Sequence, residues 1–356
     1  MAHVFASKTE PADFNLILGQ IPSYGTIRNA MTPPTLNIIY APIAPALAEV
    51  RVVVSAIWQD VLQLVHVKDA GVANAAVEGK LLRPALCLLA AGALGEDKLP
   101  RFSRLAAAYE AMHIASLAHD DVVDHASLRR GQYALNVLWD EHAAVLGGDY
   151  LVARALELLL EYDCPELIAQ ALAAVRRMAE GELRYFGKDP HTAAEEDCLA
   201  LADTKTASLF AAACSSPARL VAPDKAKPLS DFGICLGIAF QLIDDLLDIT
   251  QPAATLGKPS CGDVAEGKHT LPILFLQKKM GQEDQSRLAS LRGKSLTDED
   301  RGWITDKARD FDIAGMVLER AQCLVDTSIR HLECLPETPF RSSMEDLARF
   351  VLVRVS

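Results

Sequence analysis

The hydrophobic and polar positions of this chain follow a helical pattern from about Pro42 onward. Stretches rich in Ala and Leu recur that are longer than typical strands and lack the alternation of β-branched residues that strands show. These stretches are Arg101–Ala118, Ala143–Glu161, Leu167–Phe186, Leu199–Ala213 and Leu229–Thr250. Signals that end helices stand between them, for example Gly95, Asp163–Pro165 and Pro217. The pattern therefore predicts an all-α fold, with one helical domain over residues 36–356.

The first 35 residues differ from the rest of the chain. They mix proline, glycine and polar residues without periodicity, which predicts an irregular N-terminal arm over residues 1–35. Glu10 and Asp13 lie in this arm, and no basic segment leads into an apolar run, so it is unlike a targeting peptide. The most apolar stretch, Leu81–Gly95, contains Arg83 and is too short to span a bilayer. We therefore predict no transmembrane helix.

Composition narrows the classes of function. Half of the 356 residues are apolar, so the chain can bury a sizeable core alone. Its formal net charge of −12 argues against a nucleic-acid partner, because such proteins need basic surface. The 8 cysteines are scattered singly, which favours free thiols in a reducing compartment and predicts a cytoplasmic protein.

Two acidic clusters share one pattern about 120 residues apart. Asp120–Asp124 reads DDVVD and Asp244–Asp248 reads DDLLD. The first and last carboxylates of each cluster share a helix face, where like charges repel. A solvated acidic face is the ordinary explanation for either cluster alone. Each cluster, however, ends a strongly apolar helical run, and buried carboxylates need counter-charges. Oxygen ligands in this arrangement suit Mg²⁺ shared with substrate phosphates.

A histidine-based metal site is the competing idea for the first cluster. His113, His119 and His125 lie near it, at a spacing of six residues. That spacing rotates successive rings by about 240° around a helix, so they do not form one ligand face. The aspartates are therefore the better candidate ligands.

Basic residues gather around the acidic clusters although the chain is acidic overall. Salt bridges with the aspartates are the simple explanation, and recognition of a diphosphate is the functional one. Glycines beside several of these residues would let a loop pass close to a phosphate. The groups are Gly79–Pro84, Arg129–Gly131, Lys205–Thr206, Gly257–Lys258 and Gly262–Thr270.

These motifs together resemble the all-trans polyprenyl diphosphate synthases, a family that includes farnesyl, octaprenyl and solanesyl diphosphate synthases. The matching segments are GKxLRP at Gly79–Pro84, the HxASxxHDDVVD run ending in RRG at His113–Gly131, KTA at Lys205–Ala207, and FQLIDDLLD through EGKxTLP at Phe240–Pro272. The resemblance implies a homodimer of all-α subunits, each an isoprenoid-synthase-type helical bundle around a central cavity. It also implies condensation of isopentenyl diphosphate with an allylic diphosphate, and leaves open a transient membrane contact during product release.

The resemblance implies a role for each acidic residue at the matching positions. Asp120 and Asp124 would bind two Mg²⁺ ions on the allylic diphosphate. Asp244, with Asp245 and Asp248, would bind a third. The metals would stabilise the departing diphosphate, which the resemblance also makes the base that removes the final proton.

The resemblance likewise implies the substrate contacts. Thr206 and Gln241 would face the developing allylic cation. Isopentenyl diphosphate would be bound by Lys80, Arg83, His113 and Arg130, and the allylic diphosphate by Arg129, Lys205, Lys258 and Lys268.

Small residues before the first cluster bear on product length. Ala115 and Ser116 lie about one turn deeper than Asp120, with Met112 a further turn along. Related short-product enzymes place aromatic rings near the first of these positions, so we expect a medium- or long-chain product and expect Ala115→Phe to shorten it. Close packing of an Ala-rich helix is the alternative reading.

Three positions depart from the family pattern, namely Leu81, Ala118 and Tyr185. They bear on affinity and product length rather than on the reaction. Other readings are a short-chain synthase, a terpene cyclase, a head-to-head synthase and a non-catalytic subunit. A cyclase would carry a different second motif, a head-to-head synthase would lack Lys205-Thr206 and Gly257-Lys258, and a regulatory subunit usually loses one acidic cluster.

Overall fold

The computed structural model describes residues 35–65, 79–126, 128–129, 132–186 and 194–353, and the side chains of Arg129, Gln132, Tyr185 and Phe186 lie outside the description. Helices make up nearly all of these residues, which confirms the predicted all-α class. Its α-helices are α1 Leu36–Ile39, α2 Ala44–Leu64, α3 Leu82–Ala93, α4 Ser103–Val123, α5 Leu135–Leu138, α6 Glu141–Leu160, α7 Pro165–Phe186, α8 Glu195–Ala202, α9 Ser208–Val221, α10 Ala226–Thr250, α11 Ala253–Leu256, α12 Gly262–Ala265, α13 Leu271–Lys279, α14 Gln282–Leu291, α15 Asp298–Asp310, α16 Ile313–His331 and α17 Pro339–Leu352.

Three further kinds of element interrupt the α-helices. Short 3₁₀ turns cover Ala41–Ile43, Leu99–Phe102 and Pro223–Lys225, and a π-helical turn, Asp203–Ala207, joins α8 to α9. The two-residue strands β1 (Leu128–Arg129) and β2 (Gln132–Tyr133) pair antiparallel just after α4. This small hairpin therefore follows directly on the first acidic cluster.

The centre of the bundle is formed by α9 and α10, which pack against each other along their lengths. On the far side of this pair, α3 packs against α9 and α16 packs against α10. The α4 helix packs mainly against α6, with α2 and α3 on its other sides. Almost every residue of α3, α4, α9 and α10 that is apolar is buried. The acidic clusters are thus carried by α4 and α10, two helices of the core.

Pro217 was predicted to mark a helix end, and that prediction is wrong. Pro217 is fully within α9, which continues to Val221. A proline inside a helix removes one main-chain hydrogen bond. Burial of both faces of α9 in the core outweighs the lost hydrogen bond.

Two further predictions concern the N-terminal boundary of the domain and the absence of a membrane span. Residues 1–34 lie outside the described residues, so the boundary at residue 35 stays a prediction. Among the described residues, the helical stretch Ala41–Leu64 is long and apolar enough to cross a membrane by length and composition, with 39% of its apolar window buried. Core helices of soluble proteins pass the same test, so this is weak evidence for a span. The stretch Leu81–Gly95 contains α3, which is a buried core helix.

Candidate active site

The first acidic cluster lies where α4 ends. Asp120 and Asp121 are in its last turn, and Asp124 is the residue that follows the helix. The Asp121 side chain is only 1% exposed, and its Oδ2 accepts a hydrogen bond from the Leu135 main-chain N–H at 3.4 Å. Its carbonyl oxygen accepts a hydrogen bond from Asn136 Nδ2 at 2.9 Å, which ties α5 to α4. Asp120 and Asp124 are half-buried and remain the two carboxylates at the surface of the opening.

A stripe of partly exposed residues leads from this cluster along α4. His113, Ser116, Leu117 and Asp120 are half-buried on a helix whose other inner residues are buried. Their spacing of three, four and seven residues places them on one face. This face therefore borders an opening within the bundle rather than a packed neighbour.

The residues predicted to limit product length divide between this stripe and the core. Ser116 lies in the stripe, and its hydroxyl donates to the carbonyl oxygen of His113 at 2.8 Å. Ala115 and Met112 are 1% and 2% exposed. At about 100° per residue, Ala115 is about 140° around the helix from Asp120, whereas Ser116 is about 40° away. The structure therefore separates Ala115 from Ser116, although both were expected on nearly one face. Ala118 is also buried.

The second acidic cluster lies in the last two turns of α10. Asp244 is exposed, Asp245 is half-buried and Asp248 is 3% exposed. Asp248 Oδ1 lies 3.2 Å from Lys258 Nζ, and Asp248 Oδ2 accepts a hydrogen bond from the Asp263 main-chain N–H at 3.0 Å. Asp248 thus binds the loop that follows α10, whereas the Asp244 side chain is exposed.

Lysine side chains connect the two clusters. Lys268, from the loop that Asp248 holds, places its Nζ 3.1 Å from Asp124 Oδ2 of the first cluster and also contacts Glu266. Lys205, from the π-helical turn, places its Nζ 3.9 Å from Asp120 Oδ2. Lys268, carried by the loop that Asp248 binds, therefore joins the second cluster to the first, and Lys205 lies near both Asp120 and Asp245.

The pKa values of these groups follow from burial and from their neighbours. Burial acts to lower the pKa of Lys205, but the Asp120 and Glu182 charges outweigh it and raise that pKa. Burial likewise acts to lower the pKa of Lys268, but the Asp124 and Glu266 charges outweigh it and raise that pKa. These ammonium groups therefore stay charged.

Two carboxyl groups in and beside the second cluster have raised pKa values. Burial raises the pKa of Asp245, the hydrogen bond from Gln241 opposes the rise, and the Asp244 and Asp248 charges add to it. Burial and the Asp248 charge also raise the pKa of Asp263. The cluster therefore holds more negative charge than its lysines neutralise.

This excess of carboxylate fits a divalent cation. Aspartate oxygens are hard ligands of the kind that Mg²⁺ accepts, and Mg²⁺ usually keeps waters and substrate phosphate oxygens as its other ligands. Among the described residues, no group of three or more His, Cys, Asp or Glu side chains is placed to hold a metal ion by itself. The donor set is thus suited to a metal shared with a phosphorylated substrate. The histidines do not compete, because His119 faces Asp149 of α6 at 3.4 Å and His125 is exposed.

A chain of polar groups joins the π-helical turn to the second cluster. Thr206 Oγ1 donates to Gln241 Oε1 at 2.5 Å, and Gln241 Nε2 donates to Asp245 Oδ1 at 2.7 Å. The amide of Gln241 is therefore fixed in orientation, with its oxygen turned toward the threonine.

The residues predicted to bind isopentenyl diphosphate are only partly described. Arg83, in the first turn of α3, is 8% exposed, and its guanidinium lies 4.9 Å above the Phe210 ring. Phe210 in turn lies 5.4 Å from Phe240, the residue before Gln241. Lys80 is exposed and its carbonyl oxygen accepts from Tyr40 Oη at 2.9 Å. Arg130 and the Arg129 side chain lie outside the described residues.

Leu81 departs from the family pattern and is unusual in backbone conformation. Its φ is 51°, in the left-handed region, and its side chain is 1% exposed. A bulky residue in that region is strained, and such strain often accompanies a functional site. Leu81 precedes α3 directly and so sets the direction of the chain between Lys80 and Arg83. The side chain of Tyr185 lies outside the described residues.

Sequence reasoning missed one contributor to the site. Glu182 Oε1 lies 2.5 Å from Lys205 Nζ, so this carboxylate shares the lysine with Asp120. The signal was present, because Glu182 stands in a Gly-Glu pair near the end of a predicted helix. The π-helical turn that presents Lys205 has no comparable signal in the sequence.

An open cleft of about 750 Å³ lies beside this site. It is bordered by residues 250–260 and by one face of α15, and Lys258 is the predicted substrate-binding residue that lines it. The cleft is therefore a neighbour of the space between the aspartate clusters.

Comparisons with known proteins agree on one family. The sequence profile described as Polyprenyl synthetase matches residues 65–302. The all-trans-nonaprenyl-diphosphate synthase (geranyl-diphosphate specific) of Rhodobacter capsulatus is 37% identical over 294 residues, covering 82% of this chain and 87% of that protein. The octaprenyl diphosphate synthase of Escherichia coli K12 is 34% identical over 282 residues, covering 78% and 86%. The crystal structure of a polyprenyl synthase from Caulobacter crescentus CB15, complexed with calcium and isoprenyl diphosphate, superposes with a TM-score of 0.82 at 31% identity, covering 92% of this chain and 100% of that one.

Proposed function

This chain belongs to the polyprenyl synthetase family, and on that premise we propose that it is a prenyltransferase that condenses isopentenyl diphosphate with an allylic diphosphate. The product is a medium- or long-chain all-trans polyprenyl diphosphate, as the names of its relatives suggest. One observation carries the proposal: the two aspartate clusters are joined through Lys205, which lies near Asp120 and Asp245, and through Lys268, which pairs with Asp124 and comes from the loop that Asp248 binds.

The metal requirement is part of the proposal. The excess carboxylate of the two clusters fits divalent cations, and a relative was crystallised with calcium and isoprenyl diphosphate. We assign Asp120 and Asp124 to two Mg²⁺ ions, and Asp244, Asp245 and Asp248 to a third. Bound Mg²⁺ would supply positive charge for the leaving diphosphate.

Several residues of the chain act in the first step of the reaction, in which the allylic substrate loses its diphosphate. Lys205, Lys258 and Lys268 hold the allylic diphosphate by point charges, and they stabilise it as the carbon–oxygen bond breaks. Thr206 and Gln241, which are hydrogen-bonded to each other, border the allylic cation that forms. The apolar walls of the bundle exclude the water that would otherwise capture this cation.

The second half of the reaction needs the other substrate held in place. Arg83, Lys80 and His113 bind the diphosphate of isopentenyl diphosphate so that its alkene lies against the cation. A carbon–carbon bond forms, one proton is lost from the new product, and we assign the departed diphosphate as the base that accepts it. The chain needs no covalent intermediate.

An assay with labelled isopentenyl diphosphate tests the proposed function. The protein is incubated with each allylic primer, from the shortest upward, with Mg²⁺ or with excess EDTA. We expect labelled, chain-extended product with Mg²⁺ and none with EDTA. Failure to extend any primer in Mg²⁺ would refute the proposal, and a cyclised hydrocarbon would favour a terpene cyclase instead.

Product length should respond to bulk on the partly exposed face of α4. A ring at Ser116 would project into the opening below Asp120, so Ser116→Phe should shorten the main product while the first condensations continue. Ala115→Phe tests the original expectation, but its ring would enter a core site that is 1% exposed. Overpacking such a site costs about 1–3 kcal/mol, so this variant should also unfold at lower temperature. Chromatography of dephosphorylated products measures the lengths. An unchanged product distribution in both variants would mean that another helix stops the chain.

We also propose that the chain is a homodimer and acts in the cytoplasm. Large apolar side chains are exposed on the neighbouring helices α6 and α7, notably Leu146 at 66% and Leu183 at 73%. Light scattering should give a mass near twice 38.5 kDa. Leu146→Glu should lower that mass, whereas Ile38→Glu, an equally exposed residue on α1, should not. A monomeric wild type, or activity that sediments with membranes, would contradict these assignments.

A further inference from the structure

The π-helical turn Asp203–Ala207 presents two of the residues that the proposed reaction uses. Turns of this kind are rare and usually occur as single interruptions of an α-helix at functional sites. Lys205 reaches toward Asp120 of α4 at 3.9 Å, and Thr206 donates to Gln241 of α10 at 2.5 Å. Two adjacent residues therefore serve the two helices that carry the aspartate clusters. Something must hold the backbone in this wider turn.

One face of α7 contacts successive residues of the turn. Arg177 Nη2 lies 2.6 Å from Asp203 Oδ2, and Glu182 Oε1 lies 2.5 Å from Lys205 Nζ. Between them, Gly181 faces Thr204 so closely that a Cβ there would lie 2.2 Å from Thr204 Oγ1. Residues 177 and 181 are four apart and share a helix face, and Glu182 directly follows Gly181.

The opposite side of the turn is held by α10. A Cβ on Gly237 would lie 2.5 Å from the Ala207 Cα atom, so the two backbones are in direct contact. Gln241, one helical turn later, accepts the hydrogen bond from Thr206. The turn is therefore enclosed between α7 and α10, and a shift on one side would move Lys205 and Thr206 together.

The Arg177–Asp203 pair is the charged part of this enclosure. The Asp203 side chain is 15% exposed, and its Oδ1 atom is buried without a hydrogen-bond partner among the described residues. Burial raises the pKa of Asp203, and the Arg177 charge opposes that rise. Removing Arg177 would leave a buried carboxylate that the turn could satisfy only by moving outward.

We propose that Arg177 and Gly181 are positioning residues that keep the turn π-helical and so aim Lys205 and Thr206 at the reacting allylic diphosphate. The inference rests on the proposed function for its catalytic consequence and on the contacts above for its structural part. Neither residue touches the substrate in this scheme. Each acts through the turn, Arg177 by charge and Gly181 by allowing close approach.

The first test replaces Arg177 and compares it with its neighbour. Arg176 forms an exposed pair with Glu180 on the same helix, so Arg176→Ala is the matched control. A displacement of about 1 Å in a catalytic group can cost about 100-fold in rate. We expect Arg177→Ala to lower kcat between about 10-fold and 100-fold with little change in the KM for isopentenyl diphosphate. Arg177→Lys should recover part of the rate, and Arg176→Ala should match wild type.

Hydrogen exchange gives a readout that does not depend on activity. Amides of residues 203–207 should exchange faster in Arg177→Ala than in Arg176→Ala, with those of α9 unchanged. If exchange at the turn and kcat both match the control, the proposal is overturned. If all helices exchange faster together, Arg177 supports only general stability and the proposal is also overturned. A wild type without prenyltransferase activity would refute the proposed function. The exchange result would still show whether Arg177 holds the π-helical turn.

Gly181 provides an independent variant. Gly181→Ala should push Thr204 aside and lower kcat as Arg177→Ala does, because the new Cβ would lie within 2.2 Å of Thr204 Oγ1. Adding Thr204→Ala removes that oxygen and should restore part of the rate. A Cβ on Gly302, in α15, would have no other described side chain or neighbouring element within 4 Å, so Gly302→Ala is the control. A fully active Gly181→Ala enzyme would contradict the inference.

Discussion

Replacing Asp120 or Asp244 with alanine should lower kcat by about 1,000-fold, which corresponds to about 4 kcal/mol of lost transition-state stabilisation. Each carboxylate is expected to bind a metal that neutralises the diphosphate as it leaves, so its loss acts in the transition state. The fold should persist. Asp244 is exposed on α10, and each substitution removes one member of a set of repelling like charges.

A surface aspartate outside the site provides the control for this prediction. Asp224 is exposed and pairs with Lys225, so Asp224→Ala should leave kcat unchanged. Circular dichroism and thermal unfolding check the fold of each variant, and raising Mg²⁺ should recover some activity only for the site variants. A folded Asp120→Ala enzyme that turns over near the wild-type rate would refute the metal assignment.

Arg83→Ala should raise the KM for isopentenyl diphosphate by about 100-fold, because two charge-assisted hydrogen bonds of about 1.5 kcal/mol each would be lost. The guanidinium is 8% exposed and lies over the Phe210 ring, which holds it in one orientation. Arg83→Lys keeps the charge but loses the planar fork, so it should recover only part of the affinity. The KM for the allylic primer should change little.

Arg101 offers a matched control for this experiment. Its guanidinium lies 4.7 Å from the Phe102 ring, in the same kind of stacking, but its side chain is 50% exposed and pairs with Glu96. Arg101→Ala should therefore leave both KM values unchanged. Steady-state kinetics with each substrate varied in turn measures the effect. Equal increases in the two KM values for Arg83→Ala would show that the two diphosphate sites are assigned wrongly.

Much of the fold was predictable because it depends on local patterns. The Ala- and Leu-rich stretches predicted core helices, and α4, α6, α7 and α10 cover those stretches within a few residues. The prediction failed at Pro217, because tertiary burial of α9 outweighed a local preference that favours a helix end. The stretch predicted as one helix over Leu199–Ala213 is divided by the π-helical turn. That turn depends on contacts from α7 and α10, which no local pattern encodes.

The sequence by itself determined which residues could carry the chemistry. The two acidic clusters at helical spacing and the lysines near them are defined by residue type and order, so they can be recognised in the sequence alone. The tertiary structure decided which of these groups meet. It buried Asp121 and joined Asp248 to the loop that follows α10. It also placed Glu182 beside Lys205. It also separated Ser116 from Ala115, because burial depends on which neighbouring helix covers each face. The physical reason is that residue spacing along one helix specifies only a face, whereas the partner of that face is set by how the whole bundle packs.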